Sequence, residues 1–245
     1  MESTLHRQLK DRYGDGGGGR SEVALAGYRV DALAADGTVV EVQTASLAPL
    51  RGKLLRLLVE HRVRVVKPLV LKRWVVNKAS RGGADLSSRL SPMRGRLADV
   101  FEDLIGLVGV FPHPNLTVDV LGVEVDEVRL TRKRKPGYTV IDRRLRALVS
   151  STPLLRADDL WSLLPTAPDG PFTTGELAEA LGTPRHEAQR VAYTLRHCGA
   201  ADLVSKSGNS RIYARAGGTR ALPMVGVLPG ESVESSSWVG VDVPG

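Results

Sequence analysis

The chain predicts an α/β protein, a mixed sheet flanked by helices and followed by a smaller helix-turn-helix module. Three observations carry this. Two short apolar runs around Ala35-Asp36-Gly37, within YRVDALAADGTVVEVQT from Tyr28 to Thr44, read as a hairpin, because Asp-Gly is a strong two-strand turn signal. Helical periodicity precedes that hairpin and follows it, and a Val-rich strand comes next, the order expected when helices cover a sheet. Farther on, two capped helices joined by a Gly-containing turn occupy Thr173 to Cys198.

Taken in order, Thr4 to Tyr13 is an amphipathic helix with Leu5 and Leu9 inward and Arg7, Lys10 and Arg12 outside. DGGGG at Asp15 to Gly19 ends it as a flexible loop. Ser21 to Leu25 is a first strand, then comes the hairpin, whose alternation puts Tyr28, Val30 and Ala32 on one face and Asp31 on the other. A helix runs from Pro49-Leu50 to about Glu60 on the stripe Leu50, Leu54, Leu57 and Leu58. Arg62 to Val70 is a buried strand whose regular pairing Pro68 ends. Lys78 to Arg94 reads as a mobile loop, and Gly95 to Val108 as a helix with Leu97, Val100, Phe101, Leu104 and Ile105 on one face. Leu116 to Val123 and Glu127 to Leu130 are strands, followed by the basic run Arg132, Lys133, Arg134 and Lys135 before Pro136-Gly137. These elements make a domain over 1–150.

The second module, 151–216, opens with a helix over Leu155 to Leu164. Thr173 and Glu176 form a capping box, Thr183 caps the next helix with Pro184 at its first position, and Ala188, Val191, Ala192 and Leu195 face inward. Asp202 to Lys206 and Arg211 to Arg215 then form a hairpin around Ser207 to Ser210. The stretch 217–245, rich in Gly, Ser, Val and Pro, reads as a flexible tail.

Composition narrows the function classes. Net charge is +7 with pI about 9.8, which suits a polyanionic partner or a basic surface kept for solubility. Cys198 stands alone, so a disulfide framework and a thiolate metal cluster are excluded, as in a reducing cytoplasm. No run approaches the roughly 18 apolar residues of a membrane span, so a cytoplasmic, nucleoid-associated chain is expected. The five histidines lack zinc spacing and there is no GxxxxGK[ST] loop. Trp74 and Trp161 read as core or interface fillers.

Chemistry concentrates on the hairpin. Asp31 and Glu41 converge from neighbouring strands, with Gln43 on the same face as Glu41. Two close carboxylates call for a cation between them, and hard oxygen ligands suit Mg²⁺. Glu22 is a further acidic candidate or a solvated edge carboxylate, and Lys53, one turn into the following helix, reaches the site or solvent.

The order helix, strand, Asp strand, Glu-x-Gln strand, helix, strand (LHRQLKDRY, VEVQT, LRGKLLRLL, VRVVKPLV) resembles the PD-(D/E)XK nuclease superfamily. The resemblance implies a restriction-endonuclease-like sheet core, with Asp31, Glu41 and the Val42 carbonyl holding Mg²⁺ or Mn²⁺. Gln43 stands where that family has a lysine and lacks its charge; it would position the attacking water, with a second metal, Lys53 or Arg51 making up the missing charge and Lys53 or Arg51 steadying the phosphate. The second module resembles a winged helix, in which Arg185, Arg190, Lys206 and Arg211 would meet DNA alongside the basic run. The implied activity is metal-dependent hydrolysis of DNA phosphodiester bonds, on double-stranded or branched DNA, with a homodimer able to cut both strands. Two alternatives are a DNA-binding protein with a degenerate nuclease fold and a winged-helix module that binds protein.

Overall fold

The computed structural model describes residues 2–135 and 137–217; Pro136 and the expected tail beyond Gly217 lie outside the described residues. Helix α1 (Thr4–Tyr13) begins where the Ser3 hydroxyl accepts the His6 N–H, and it buries Leu5 and Leu9 as its periodicity requires. The DGGGG stretch contains a 3-10 turn (Asp15–Gly17) ended by left-handed Gly18, which is an ordered turn rather than an open loop. Strands β1 (Arg20–Leu25) and β2 (Tyr28–Leu33) are joined through Ala26-Gly27, both at positive φ, the geometry of a primed hairpin turn. After Gly37, also at positive φ, β3 (Val39–Val42) returns antiparallel to β2.

Helix α2 (Arg51–Leu57) follows a 3-10 turn, and β4 (Val63–Lys78) then runs parallel to β3. Pro68 does not stop β4, which continues to pair with β6 (Leu116–Thr131) on its other side. The Val66 carbonyl accepts from Gln43 at the end of β3, so by two-residue alternation the nitrogen of Pro68 faces the space beyond that strand. A proline is tolerated there because no ladder bond is lost.

Two further corrections concern the same sheet. The expected mobile loop holds β5 (Asp85–Arg94), antiparallel to the second half of β4. The two expected strands after Leu116 are one, and it pairs with β7 (Tyr138–Leu154), which runs past the expected boundary at 150. The sheet order is β1-β2-β3-β4-β6-β7, with β5 on β4. Between β5 and β6 the expected helix is a run of 3-10 turns around a single α-helical turn, α3 (Phe101–Leu104).

The C-terminal part contains a 3-10 segment (Ala157–Leu163) where a helix was expected, then β8 (Phe172–Thr173), α4 (Thr174–Leu181) and α5 (Arg185–His197). Strands β9 (Ala201–Ser207) and β10 (Ser210–Arg215) complete a three-stranded sheet in the order β8-β10-β9. The capping box of Thr173 and Glu176 is present. Thr183 does not cap α5; Pro184 holds the N-cap position and the Thr183 hydroxyl donates to the Glu187 carboxylate. Among the described residues no helix is long and apolar enough to cross a membrane.

Two apolar layers cover the faces of the large sheet. Val40, Val42, Val66 and Leu121 pack with Leu5 and Leu9 of α1. Val39, Val65 and Val118 pack with Leu54, Phe101 and Leu104, and that cluster continues without a break into Trp161, Leu177, Val191 and Leu195. Trp161 is core as expected, whereas Trp74 is part-exposed, with the Arg146 guanidinium 4.1 Å from its ring centre. Close approach of the 3-10 turn after α3 to the 3-10 turn before α2 depends on Gly106, where a Cβ would stand 2.6 Å from the Ala48 nitrogen. Gly106→Ala is therefore expected to cost about 1–3 kcal/mol by overpacking. An unchanged urea midpoint would show that the two turns part freely.

Candidate functional site

The hairpin expectation holds in position but not in detail. Residues Ser21 and Ala32 pair across β1 and β2, as do Val23 and Val30, which leaves Glu22 and Asp31 at one rung. Glu22 takes a positive φ of 56° there, and the face alternation breaks: Val30 joins the α2-side layer and Ala32 the α1-side layer. Tyr28, Val30 and Ala32 therefore do not share one face.

The same rung interrupts the β2–β3 ladder, whose regular pairs are Ala32–Val40 and Leu33–Val39. In place of the next pair the two acids interlock. The Val42 N–H donates to Asp31 Oδ2 at 2.8 Å, and the Asp31 N–H approaches Glu41 Oε1 at 3.4 Å. Asp31 and Glu41 are thus brought together, as the sequence implies, by each satisfying a backbone donor of the other's strand.

Their surroundings differ. Asp31 opens on a cleft of about 710 Å³ walled by α1, β7, Thr44, Pro68 and Val70, and Glu22 lines the same cleft. Burial disfavours the Asp31 carboxylate, but the His6 imidazole 3.4 Å away and the Val42 N–H outweigh it and hold the group below its ordinary pKa. Glu41 is only 4% exposed, and burial pushes its carboxyl above the ordinary range. Lys53 opposes that shift: its Nζ donates to Glu41 Oε1 at 2.6 Å and to the Arg29 carbonyl at 2.6 Å. A pair of carboxyls driven in opposite directions is suited to divided roles, one staying ionised and one able to take a proton.

Gln43 and Arg51 fall apart from this centre, and Glu22, though it lines the cleft, is engaged elsewhere. Gln43 is half-buried, and its Oε1 faces the Ala45 N–H of its own loop at 3.5 Å. Arg51 turns the other way, donating to the Val108 carbonyl beside Gly109. Glu22 is ion-paired with Lys10 and Arg29, and its carboxyl is held low first by the Lys10 ammonium. His6 was missed by sequence reasoning. Its signal is the pair His6 and Lys10 on one face of α1 with Glu2 four residues before His6, realised as distances of 3.5 Å and 2.9 Å to Glu2.

Among the described residues no group of three or more His, Cys, Asp or Glu side chains could hold a metal ion. Magnesium keeps several waters and needs only one or two carboxylates, so the hard oxygens of Asp31, Glu41 and the Val42 carbonyl still fit such an ion by donor chemistry.

The expected DNA-contacting residues divide likewise. Arg185 on α5 and Arg211 on β10 line one cleft of about 460 Å³, joined there by Tyr193, Arg196 and His197, which were not among the residues expected to meet DNA. Lys206 pairs directly with Arg211 across the hairpin and is exposed. Arg190 faces elsewhere, 3.8 Å from Glu102 of α3. Arg132, Lys133, Arg134 and Lys135 are exposed in the β6–β7 turn.

A family model described as "Domain of unknown function (DUF8091)" matches residues 3–154, which ends where β7 ends. A Treponema pallidum (strain Nichols) protein named "Uncharacterized protein" is 32% identical over 222 residues, covering 87% of this chain and 85% of that protein. No solved structure matches the chain.

Proposed function

We propose that this chain, which belongs to the family described as a domain of unknown function (DUF8091), is a metal-dependent DNA endonuclease acting at the Asp31–Glu41 rung. The observation that carries the reading is the interlock of these two acids, one open to a cleft and one bound to Lys53. The sheet with its flanking helices is compatible with a restriction-endonuclease-like core. The β8-α4-α5-β9-β10 order is compatible with a winged helix, in which Arg185, Arg196 and Arg211 share one side.

Asp31, Glu41 and the Val42 carbonyl would hold Mg²⁺ or Mn²⁺, which when bound supplies a water of lowered pKa and neutralises charge on the scissile phosphate. The chain's own residues do the rest. His6 and the Val42 N–H keep Asp31 ionised and oriented. Glu41, buried beside Asp31 and held by Lys53, would be the second carboxylate toward the ion. Lys53 supplies the positive charge that Gln43 lacks in the position where the resembling family has lysine. A homodimer would bring two such sites to the two strands of a duplex.

A second reading is favoured by one specific observation: Lys53 already neutralises Glu41, as it would in a DNA-binding protein that keeps the fold without catalysis. Cleavage of supercoiled plasmid with Mg²⁺ and with Mn²⁺ separates the two. Metal-dependent nicking by wild type, lost in Asp31→Ala and in Glu41→Ala, is expected. No cleavage of supercoiled, linear or branched DNA, together with salt-sensitive binding, would establish the second reading. Activity surviving both substitutions would put the site elsewhere.

A further inference from the structure

In their second halves β4 and β6 run on together with β7 as a sheet extension that carries a charge imbalance. Three ion pairs there are balanced one to one: Lys72 with Glu124 at 2.9 Å, Arg146 with Asp126 at 3.0 Å and Arg144 with Asp142 at 3.4 Å. Glu127 differs. It is 2% exposed and gathers a guanidinium from each strand: Arg129 through Nε at 2.9 Å and Nη2 at 2.7 Å, Arg73 at 3.3 Å and Arg143 at 3.3 Å. One carboxylate against three guanidiniums leaves a net excess of two positive charges (three minus one) on three neighbouring strands.

The position of this cluster gives it a use. Arg143, with its side chain 46% exposed, also lines the cleft into which Asp31 opens. The remaining charged lining of that cleft is mostly acidic, with Glu2, Glu22, Asp31 and Asp142 beside His6. A polyanion entering such a cleft is repelled unless a wall supplies cations. The β6–β7 turn carrying Arg132 to Lys135 follows on from Arg129 along the same strand.

We propose that Arg73, Arg129 and Arg143, held together by Glu127, form a phosphate-binding wall that takes the backbone of a DNA duplex beside the bond presented to Asp31. The phosphate chemistry follows from the guanidinium forks, and the identity of the polyanion as DNA rests on the proposed nuclease reading. None of the three arginines stands out in the sequence, because only the strand register brings them together.

The test is fluorescence anisotropy of a labelled DNA duplex in EDTA, where no metal-dependent cleavage proceeds, with salt varied from about 50 to 200 mM. Wild type is compared with Arg143→Ala, Arg73→Ala combined with Arg143→Ala, and Arg143→Lys. Every phosphate that a variant no longer neutralises reduces the steepness of log affinity against log salt by about 0.9, so reductions of about one and about two are expected in the alanine variants. Arg143→Lys keeps the charge and is expected to keep the slope. Arg143→Ala alone leaves Glu127 with two guanidiniums, so a folded protein remains at hand even if the double variant is unstable. Wild-type binding with an unchanged slope in Arg143→Ala overturns the wall and leaves the nuclease reading standing. Failure of wild type to bind any duplex overturns both.

Discussion

Lys53→Met is expected to cost about 3–5 kcal/mol of folding stability near pH 8 and far less near pH 4, the loss typical of breaking a buried ion pair from one side. The methionine keeps the stem of the side chain but leaves Glu41, 4% exposed, facing Asp31 without its ammonium partner. The sign follows from linkage. Burial already raises the folded-state pKa of Glu41 despite Lys53, so the native state binds that proton more tightly than the unfolded chain, which gives it up above about pH 4.3. Stability from that group is intact below the unfolded pKa and falls as pH rises through the folded one. Removing Lys53 takes away a lowering influence and widens the window. Urea unfolding at the two pH values measures the effect, and adding Glu41→Gln is expected to abolish the pH dependence and recover much of the loss. Equal deficits at both pH values would show that Glu41 and Lys53 are not coupled. In the cleavage assay the same Lys53→Met variant is expected to be inactive, since neither Gln43 nor Arg51 can supply the missing charge from where they lie.

How much of this was legible follows from which physical rule each element obeys. Helix α1 was legible because one face meets a core and the other does not, and β2 and β3 because two short apolar runs flank an Asp-Gly turn although both strands pack on both sides. The placement of Val30 and Ala32 was not, because alternation presumes a regular ladder. Here Glu22 adopts a positive φ and the carboxylates of Asp31 and Glu41 replace a rung. Strand β5 was read as a loop because it is solvated on both faces: Leu86 is 64% exposed, and Met93 and Leu90 are also open to water. Strand β7 escaped for a related reason, with cations along much of its length and little burial before Leu154. In the site, Asp31, Glu41 and Lys53 were readable from adjacent elements, whereas Arg143, Arg73 and Arg129 depend on a register that no local pattern encodes. The turning of Arg190 away from the other α5 arginines has the same origin, since its partner Glu102 comes from a distant part of the chain.

Phe101→Ala is expected to destabilise the whole described chain by about 3–5 kcal/mol, and to do so in one unfolding transition. Phe101 is 1% exposed and among the largest fully buried side chains. It sits in α3, which packs against α5, so its ring belongs to the cluster that joins Val39 and Val118 of the large sheet to Val191 and Leu195 of the C-terminal helices. Arg96 ties the same junction by an ion pair of 3.1 Å to Glu187. A sequence reading of two domains divided at 150 implies two cores that melt separately; one continuous cluster implies that they melt together. Coincident transitions by near- and far-ultraviolet circular dichroism, both shifted by Phe101→Ala, would support the single core. A variant in which only part of the signal moves would show that the C-terminal helices unfold on their own. In that case Arg185, Arg196 and Arg211 would reach DNA from a module free to move relative to the Asp31 cleft, and the site would be positioned by the large sheet alone.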